Sequence, residues 1–334
     1  MKPKAERKNI VVIGGGTGSY NLLRGLKRHW GEVSITMVVT MADSGGSNAR
    51  IRDEFGLLPL SDVNRALAAL ATDVEDHGQL LRELFLYRFS KGNGISGHNF
   101  GNLLLVALTD MLGSEAEAIT VASRILRIRG TVLPVTTDDI HLVATYDDGV
   151  EVLGEHDLDE PSQEREDHRI VKLTTDKPAQ VTNEAATALR EADIIILGPG
   201  DLYTSLMANC VITGVPEAIQ ESNAIFVHIT NLMTRPGQTR GMQVSDYLSE
   251  IQAYVGRKPD VVLINTALQP AEVLEKYKKE GDFPVVDDLV NGIKIIRDDF
   301  LASETVTKKS GDVLKRSLIR HDGHKLANAI IELL

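Results

Sequence analysis

The chain has 334 residues, 43% hydrophobic and 25% charged, with a formal net charge of −11. That length suits one large α/β domain, and the acidity argues against a general nucleic-acid binder while allowing a local pocket for a small anion. Cys210 is the only cysteine, which excludes an intrachain disulfide and a cysteine-rich zinc site, and no run approaches the ~20 apolar residues of a membrane span.

The basic start leads into an apolar run at 10–13 that is too short for a signal-peptide core and ends in glycines. A cytoplasmic location is therefore expected, with a small-molecule partner and neither nucleic acid nor membrane; a homo-oligomer is left open. The run itself, all Ile and Val, reads as a strand buried on both faces of a parallel sheet. Gly14, Gly15, Gly16, Thr17 and Gly18 then form a strand-to-helix turn, with Leu22, Leu23 and Leu26 at helical spacing behind it. Free amides and a helix dipole at such a turn favour an anion. The pattern begins like a dinucleotide fingerprint, but Ser19 stands where its third glycine belongs, and no Lys-Ser or Lys-Thr pair follows as in a Walker loop. A turn that only packs is the alternative.

A second strand is predicted at 34–41. Asp43 after it has the position from which a βαβ acid can hold a ribose, Ser44, Gly45, Gly46 and Ser47 read as a second anion nest, and Arg50 can pair with phosphate or carboxylate. An Asp-Gly-type turn is the alternative. A helix follows over 61–70, capped by Ser61 or Asp62, with Asn64 and Arg65 in its first turn, and another over 79–89. The segment 98–112 begins with His98, Asn99, Gly101 and Asn102 and continues apolar nearly all round, which predicts a core helix whose polar first turn can meet a ligand.

After a helix at 119–128 and a strand at 131–135, Asp147, Asp148 and Gly149 mark the turn of a hairpin over 141–153. The acid-rich stretch 154–169 reads as an exposed connection without metal-ligand spacing. Thr182 caps a helix to 192, and a buried strand at 193–197 breaks at Gly198, Pro199, Gly200, Asp201, Tyr203, Thr204 and Ser205, a second glycine turn. There Asp201 can instead cap a helix and Tyr203 can simply pack. Further strands are expected at 224–229, ending at Asn231, Met233 and Thr234, and at 260–264, ending at Asn265. Ser245 is expected to cap a helix over 246–254, and a strand at 293–296 precedes a closing helix within 317–334 with an Asp322 cap. These polar loops follow strands, so right-handed crossovers would bring the glycine turns, Asp43, Asn231 and Asn265 to one crevice.

The chain resembles the gluconeogenesis factor family (YvcK-like proteins), within the wider CofD-like group that includes 2-phospho-L-lactate transferase. The resemblance rests on GGGTG at 14–18, ADSGGS at 42–47, LPLSD at 58–62, GHNFGN at 97–102, GPGDLYTS at 198–205, NLMTRPG at 231–237 and RHD at 320–322. It implies one Rossmann-like α/β/α domain over 1–334 with a mostly parallel sheet and a small β-hairpin excursion around 141–169. It further implies a bacterial cytoplasmic protein that binds a nucleotide sugar such as UDP-N-acetylglucosamine and is linked to cell shape, cell-wall precursors and gluconeogenic growth. Under that reading the amides of 14–18 and 198–204 hold the diphosphate, Asp43 the ribose, and Arg50, His98, Asn99, Asn102 and Asn231 phosphate or sugar. A transferase reading makes Asp43 and Asp62 the magnesium or base residues, and an NAD(P) oxidoreductase reading gives Ser44 and Arg50 the 2′-phosphate. Ser44 replaces a second acid found in many relatives and Ser61 a glycine, and the missing charge at 44 weighs against transferase chemistry.

Overall fold

The computed structural model describes residues 7–42, 58–72, 76–92, 94–290, 292–303 and 318–334. In chain order its strands are β1 (Lys8–Gly14), β2 (Val33–Val39), β3 (Thr131–Pro134), β4 (Leu142–Tyr146), β5 (Glu151–Leu153), β6 (Ile170–Thr175), β7 (Ile194–Leu197), β8 (Ile225–Ile229), β9 (Val261–Asn265) and β10 (Lys294–Asp298). Seven of them form one sheet in the order β10-β9-β8-β7-β1-β2-β3, and each neighbouring pair is parallel. β1 and β7 lie side by side, with Ile10 opposite Ile194 and Ile13 opposite Leu197. Neither run has a polar face to turn toward water, so both take central positions with helices over each face.

Side-chain alternation divides the core into two layers. Val11, Ile13, Val38, Ile195 and Leu197 point into one, which is closed by the helices Asn183–Arg190, Val215–Glu221 and Val244–Val255. Ile10, Val12, Ile35, Met37, Ile194 and Ile196 point into the other, beneath the helices Gly16–Leu26, Ser61–Leu70 and Gly323–Ile331. This is the expected three-layer α/β/α arrangement. The hairpin excursion is a separate antiparallel sheet, β5-β4-β6, which seats Leu142, Ala144, Tyr146 and Leu173 in the first layer.

Several local expectations are corrected. The helix expected at 79–89 is Asp76–Phe85, because the chain turns at Leu86 and pairs Arg88 with Asn99 as a β-bridge. The helix Phe100–Leu112 is only half in the core: Leu105 is fully buried, whereas Met111 is 77% exposed. Ser245 does not cap its helix; Gln243 holds that position, and Ser245 donates to Asp288. The caps expected at Thr182 and Asp322 are present, accepting amides from Ala185 and from His324 and Lys325.

Strand order reverses between β1 and β7. From β1 the chain moves outward to β2 and β3, and from β7 it moves the other way to β8, β9 and β10. Crossovers leaving that point diverge, so the loops after β1 and β7 splay apart and leave a crevice at the carboxyl ends of the strands.

Candidate functional site

The crevice is a cavity of about 700 Å³. The turn after β1 makes one wall, with Gly16 in the left-handed region at φ +67° and nothing standing where its Cβ would be. The turn after β7 makes the facing wall, around a cis Gly198–Pro199 bond. The two walls touch: a Cβ on Gly18 would sit 2.6 Å from the Pro199 carbonyl oxygen, and Ser19 Oγ donates to that same oxygen at 3.3 Å. Glycine at 18 is thus required by close approach of two backbones.

Asp62 does not cap its own helix. Leu60 takes that position, and the Asp62 carboxylate crosses to accept the Gly16 amide at 3.0 Å while pairing with Arg65 at 3.2 Å. An acid from one helix therefore occupies the amino end of another, where helix dipole and free amide both favour it.

A third wall comes from the stretch 154–169, expected as a solvated connection. Its short helix Glu155–Asp159 buries Leu158, and Asp159 accepts from Thr204 Oγ1 at 2.7 Å and from Gln238 at 3.1 Å. Arg235 binds the Asp159 carbonyl at 2.9 Å and faces Asp201 at 3.3 Å. The Asp201 side chain keeps a third of its surface open to the cavity. The depth of the site pushes its carboxyl above the ordinary range, Arg235 pulls it down, and Asp159 and Asp62 push it up again. The Arg235 guanidinium is held more firmly charged, chiefly by Asp201. His321 also lines the cavity, and burial lowers it to about 4, so it is neutral at physiological pH.

Of the residues singled out in the sequence, Gly15, Gly16, Thr17, Gly18, Asp62, Asn99, Asn102, Pro199, Gly200, Asp201, Ser205, Asn231, Met233 and Thr234 line this one cavity. Asn99 caps the helix Phe100–Leu112 and accepts from Asn64, while Asn231 donates to the Gly200 carbonyl and ties two of the loops together. Gly14, His98, Gly198, Tyr203, Thr204 and Asn265 are not in its lining. Tyr203 is buried with its hydroxyl on the Ile170 carbonyl, and Asn265 is used by the Phe300 amide and the Ala267 carbonyl. Asp43, Ser44, Gly45, Gly46, Ser47 and Arg50 lie outside the described residues.

Much of the lining charge lies outside the residues singled out in the sequence: Glu155, Asp159, Glu160 and Asp282 on the acidic side, Arg88, Arg235 and Arg320 on the basic side. Only Arg235 and Arg320 stood within recognised motifs. With Asp62, Asp201 and Arg65 added, carboxylates outnumber guanidiniums, so the cavity is no simple anion trap. Leu232, Met233, Ile319 and the ring of Tyr277 add an apolar patch to the lining, and the Tyr277 hydroxyl accepts the Leu318 amide at 2.7 Å.

A family model described as 2-phospho-L-lactate transferase CofD matches residues 10–301. A Thermotoga maritima protein is 43% identical over 322 residues, covering 96% of this chain and 98% of its own. The proteins named Gluconeogenesis factor in Halalkalibacterium halodurans and Bacillus subtilis are 40% and 37% identical, each over 98% of this chain and over 97% and 99% of their own lengths. The chain belongs to the CofD-like family, with the gluconeogenesis factors. A crystal structure of a UPF0052 family member from Bacillus halodurans superposes with a TM-score of 0.86 at 37% identity, covering 98% of this chain and 99% of that one.

Within this CofD-like fold, hard oxygen ligands face the cavity, yet among the described residues the only group that gathers three metal-ligand atoms within 4.8 Å is Asp147, Asp148 and His168 on the hairpin. Those side chains are already engaged, His168 with Asp147 and Arg165 with Asp148, both at 2.6 Å. Cys210 is buried and its thiol is pushed up to about 12, which removes it as a nucleophile. No helix of the described residues is long and apolar enough to cross a membrane.

Proposed function

We propose that the cavity binds a nucleoside-diphosphate sugar of the UDP-N-acetylglucosamine type, and that the protein acts in the cytoplasm as a binding factor in carbon and cell-wall precursor regulation. The observation that carries this reading is the contact between the Gly18 and Pro199 turns at the switch point, opening on a cavity of about 700 Å³. That volume lies in the range of small-molecule sites, and the position is where open α/β sheets take nucleotides. Amides of the two turns would hold phosphate, while Asp159, Glu155 and Glu160 offer acceptors to sugar hydroxyls. The apolar patch at Tyr277 and Ile319 suits an uncharged ring or acetamido group. Calorimetric titration with UDP-N-acetylglucosamine, UDP-glucose, GDP, NAD and NADP tests it. The UDP-sugar is expected to bind most tightly; preference for NADP would replace this reading with the dinucleotide one, and no heat from any of them would end it.

A second reading, a magnesium-dependent phospho-group transferase, is favoured by the carboxylates Asp62, Asp159 and Asp201 facing one cavity. They fit a magnesium ion that arrives on substrate phosphates rather than one in a protein-only cage. In such a site Asp62 and Asp201 would hold the ion, and the ion would neutralise charge on the phosphates. Turnover of a nucleoside-diphosphate donor that requires magnesium would establish it.

A further inference from the structure

At the opposite rim of the sheet, where β1, β2 and β3 begin, the described residues include a cluster of arginines around an exposed indole. Trp30, the only tryptophan, is 38% exposed there. The guanidiniums of Arg7 and Arg129 lie 4.5 and 4.6 Å from its ring centroid. Arg28 is exposed on the segment leading to Trp30, and Arg124 and Arg127 on the segment leading to Arg129, while the exposed Arg24, one turn earlier, lies 5.9 Å from the ring centroid of Tyr20. Among the described residues none of these six arginines pairs with a carboxylate, whereas Lys8 pairs with Asp193 and His29 with Glu32. Their field is felt nearby: His324 is held below the ordinary imidazole value by partial burial first and by Arg28 next, with Arg24 and His29 adding to Arg28 and Asp322 opposing. Arg127 is the only described non-glycine residue with positive φ, at +48°, and Thr72 holds its carbonyl at 2.7 Å.

We propose that this rim docks on an anionic lipid surface, with Trp30 at headgroup depth and the arginines on lipid phosphates. Two guanidiniums against one indole leave little ring surface for a nucleic-acid base, and the net charge of −11 opposes a long polyanion. An exposed aromatic ringed by cations, with Ile125 41% exposed beside Arg124, is the composition of an interfacial anchor. Lipid headgroups move laterally and can meet each guanidinium, whereas a folded acidic partner must match their spacing. The cavity opens at the other rim, so a docked molecule keeps it accessible to solution.

The test is sedimentation of the full chain with vesicles of phosphatidylglycerol and phosphatidylcholine in equal parts, against pure phosphatidylcholine, while the Trp30 emission is followed. Binding to the anionic vesicles alone is expected, with a blue shift of Trp30 and loss of binding at high salt. Arg28→Glu combined with Arg124→Glu should weaken it at least about tenfold, with an unchanged urea midpoint showing that the fold is intact. The milder pair Arg28→Gln and Arg124→Gln should weaken it less. No sedimentation with anionic vesicles, equal binding to neutral ones, or undiminished binding by the folded variants would overturn the proposal. So would vesicles that leave Trp30 unmoved while duplex DNA or polyglutamate shifts it, which would assign the rim to a different partner.

Discussion

The Asp62 carboxylate lies 3.0 Å from the Gly16 amide, at the helix end where a ligand phosphate is expected. A Cβ on Gly15 would stand 2.1 Å from its other oxygen, so the glycine is what lets the acid in. The walls thus offer a phosphate both donors and one fixed negative charge. Asp62→Asn keeps an acceptor for the amide and removes the charge. UDP-N-acetylglucosamine should then bind about fivefold tighter in the absence of magnesium, since relief of one charge across a solvated site is worth roughly 1 kcal/mol. Calorimetry with a chelator present measures this. Weaker binding under these metal-free conditions would show that Asp62 itself holds the sugar.

The pairing of Asp201 with Arg235 gives a second prediction, with a sign set by burial. Asp201 titrates above its unfolded value, so the native state binds its proton more tightly than the unfolded chain. Its favourable contribution is full below the ordinary aspartate value and is lost as pH rises through the folded one. Asp201→Asn should therefore be more stable than the parent at pH 7, the gap closing below about pH 4. Arg235→Leu should do the reverse and cost about 2–3 kcal/mol, less than for a fully buried pair because both side chains keep some exposure. Urea melts at two pH values distinguish these outcomes.

How much of this was legible follows from what each signal depends on. β1 and β7 were readable because burial on both faces leaves an unbroken apolar run, and the glycine turns because only glycine permits such backbone approach. Asp159 was not readable. Arg235 and Gln238, 76 and 79 residues away in sequence, hold it, so nothing in the local acidity of 154–169 distinguishes a cavity wall from a solvated loop. Asp62 looked like a cap because the pattern of a cap is local, whereas its actual partner is 46 residues back. The helix Phe100–Leu112 misled in the other direction, since apolarity all round predicts burial all round and Met111 faces out.

Two buried histidines should make the fold sensitive to mild acid. His228 is wholly buried on β8 with Nδ1 on the Leu197 carbonyl, and among the described residues Nε2 has no partner. Burial lowers both His228 and His321 to about 4. The unfolded chain binds these protons first, so the stability they lend is complete above about pH 6.5 and is lost as pH falls toward 4. Roughly 2–3 kcal/mol per histidine should disappear over that interval. His228→Gln should flatten the decline by about half, as read from thermal melts across the range. A decline that His228→Gln leaves unchanged would place the acid sensitivity elsewhere.

The helices Gly16–Leu26 and Gly323–Ile331 meet through two glycines, and that contact supports the cavity from behind. A Cβ on Gly25 would lie 1.8 Å from the Gly323 carbonyl oxygen, and one on Gly323 would lie 1.8 Å from the Asn21 carbonyl oxygen. Neither neighbour is a flexible side-chain tip; both are backbone, so the helices must separate. Gly25→Ala should cost about 3 kcal/mol or more in a urea melt despite its better helix propensity. Separation would also displace Arg320 and His321, which line the cavity immediately before the second helix. Ligand affinity should fall together with stability. Gly31→Ala is the control: nothing stands within 4 Å of its Cβ, and its stability should stay within about 0.5 kcal/mol of the parent. Equal melts for the two alanine variants would mean that the helices can part without cost, and that this contact does not fix the position of the cavity wall.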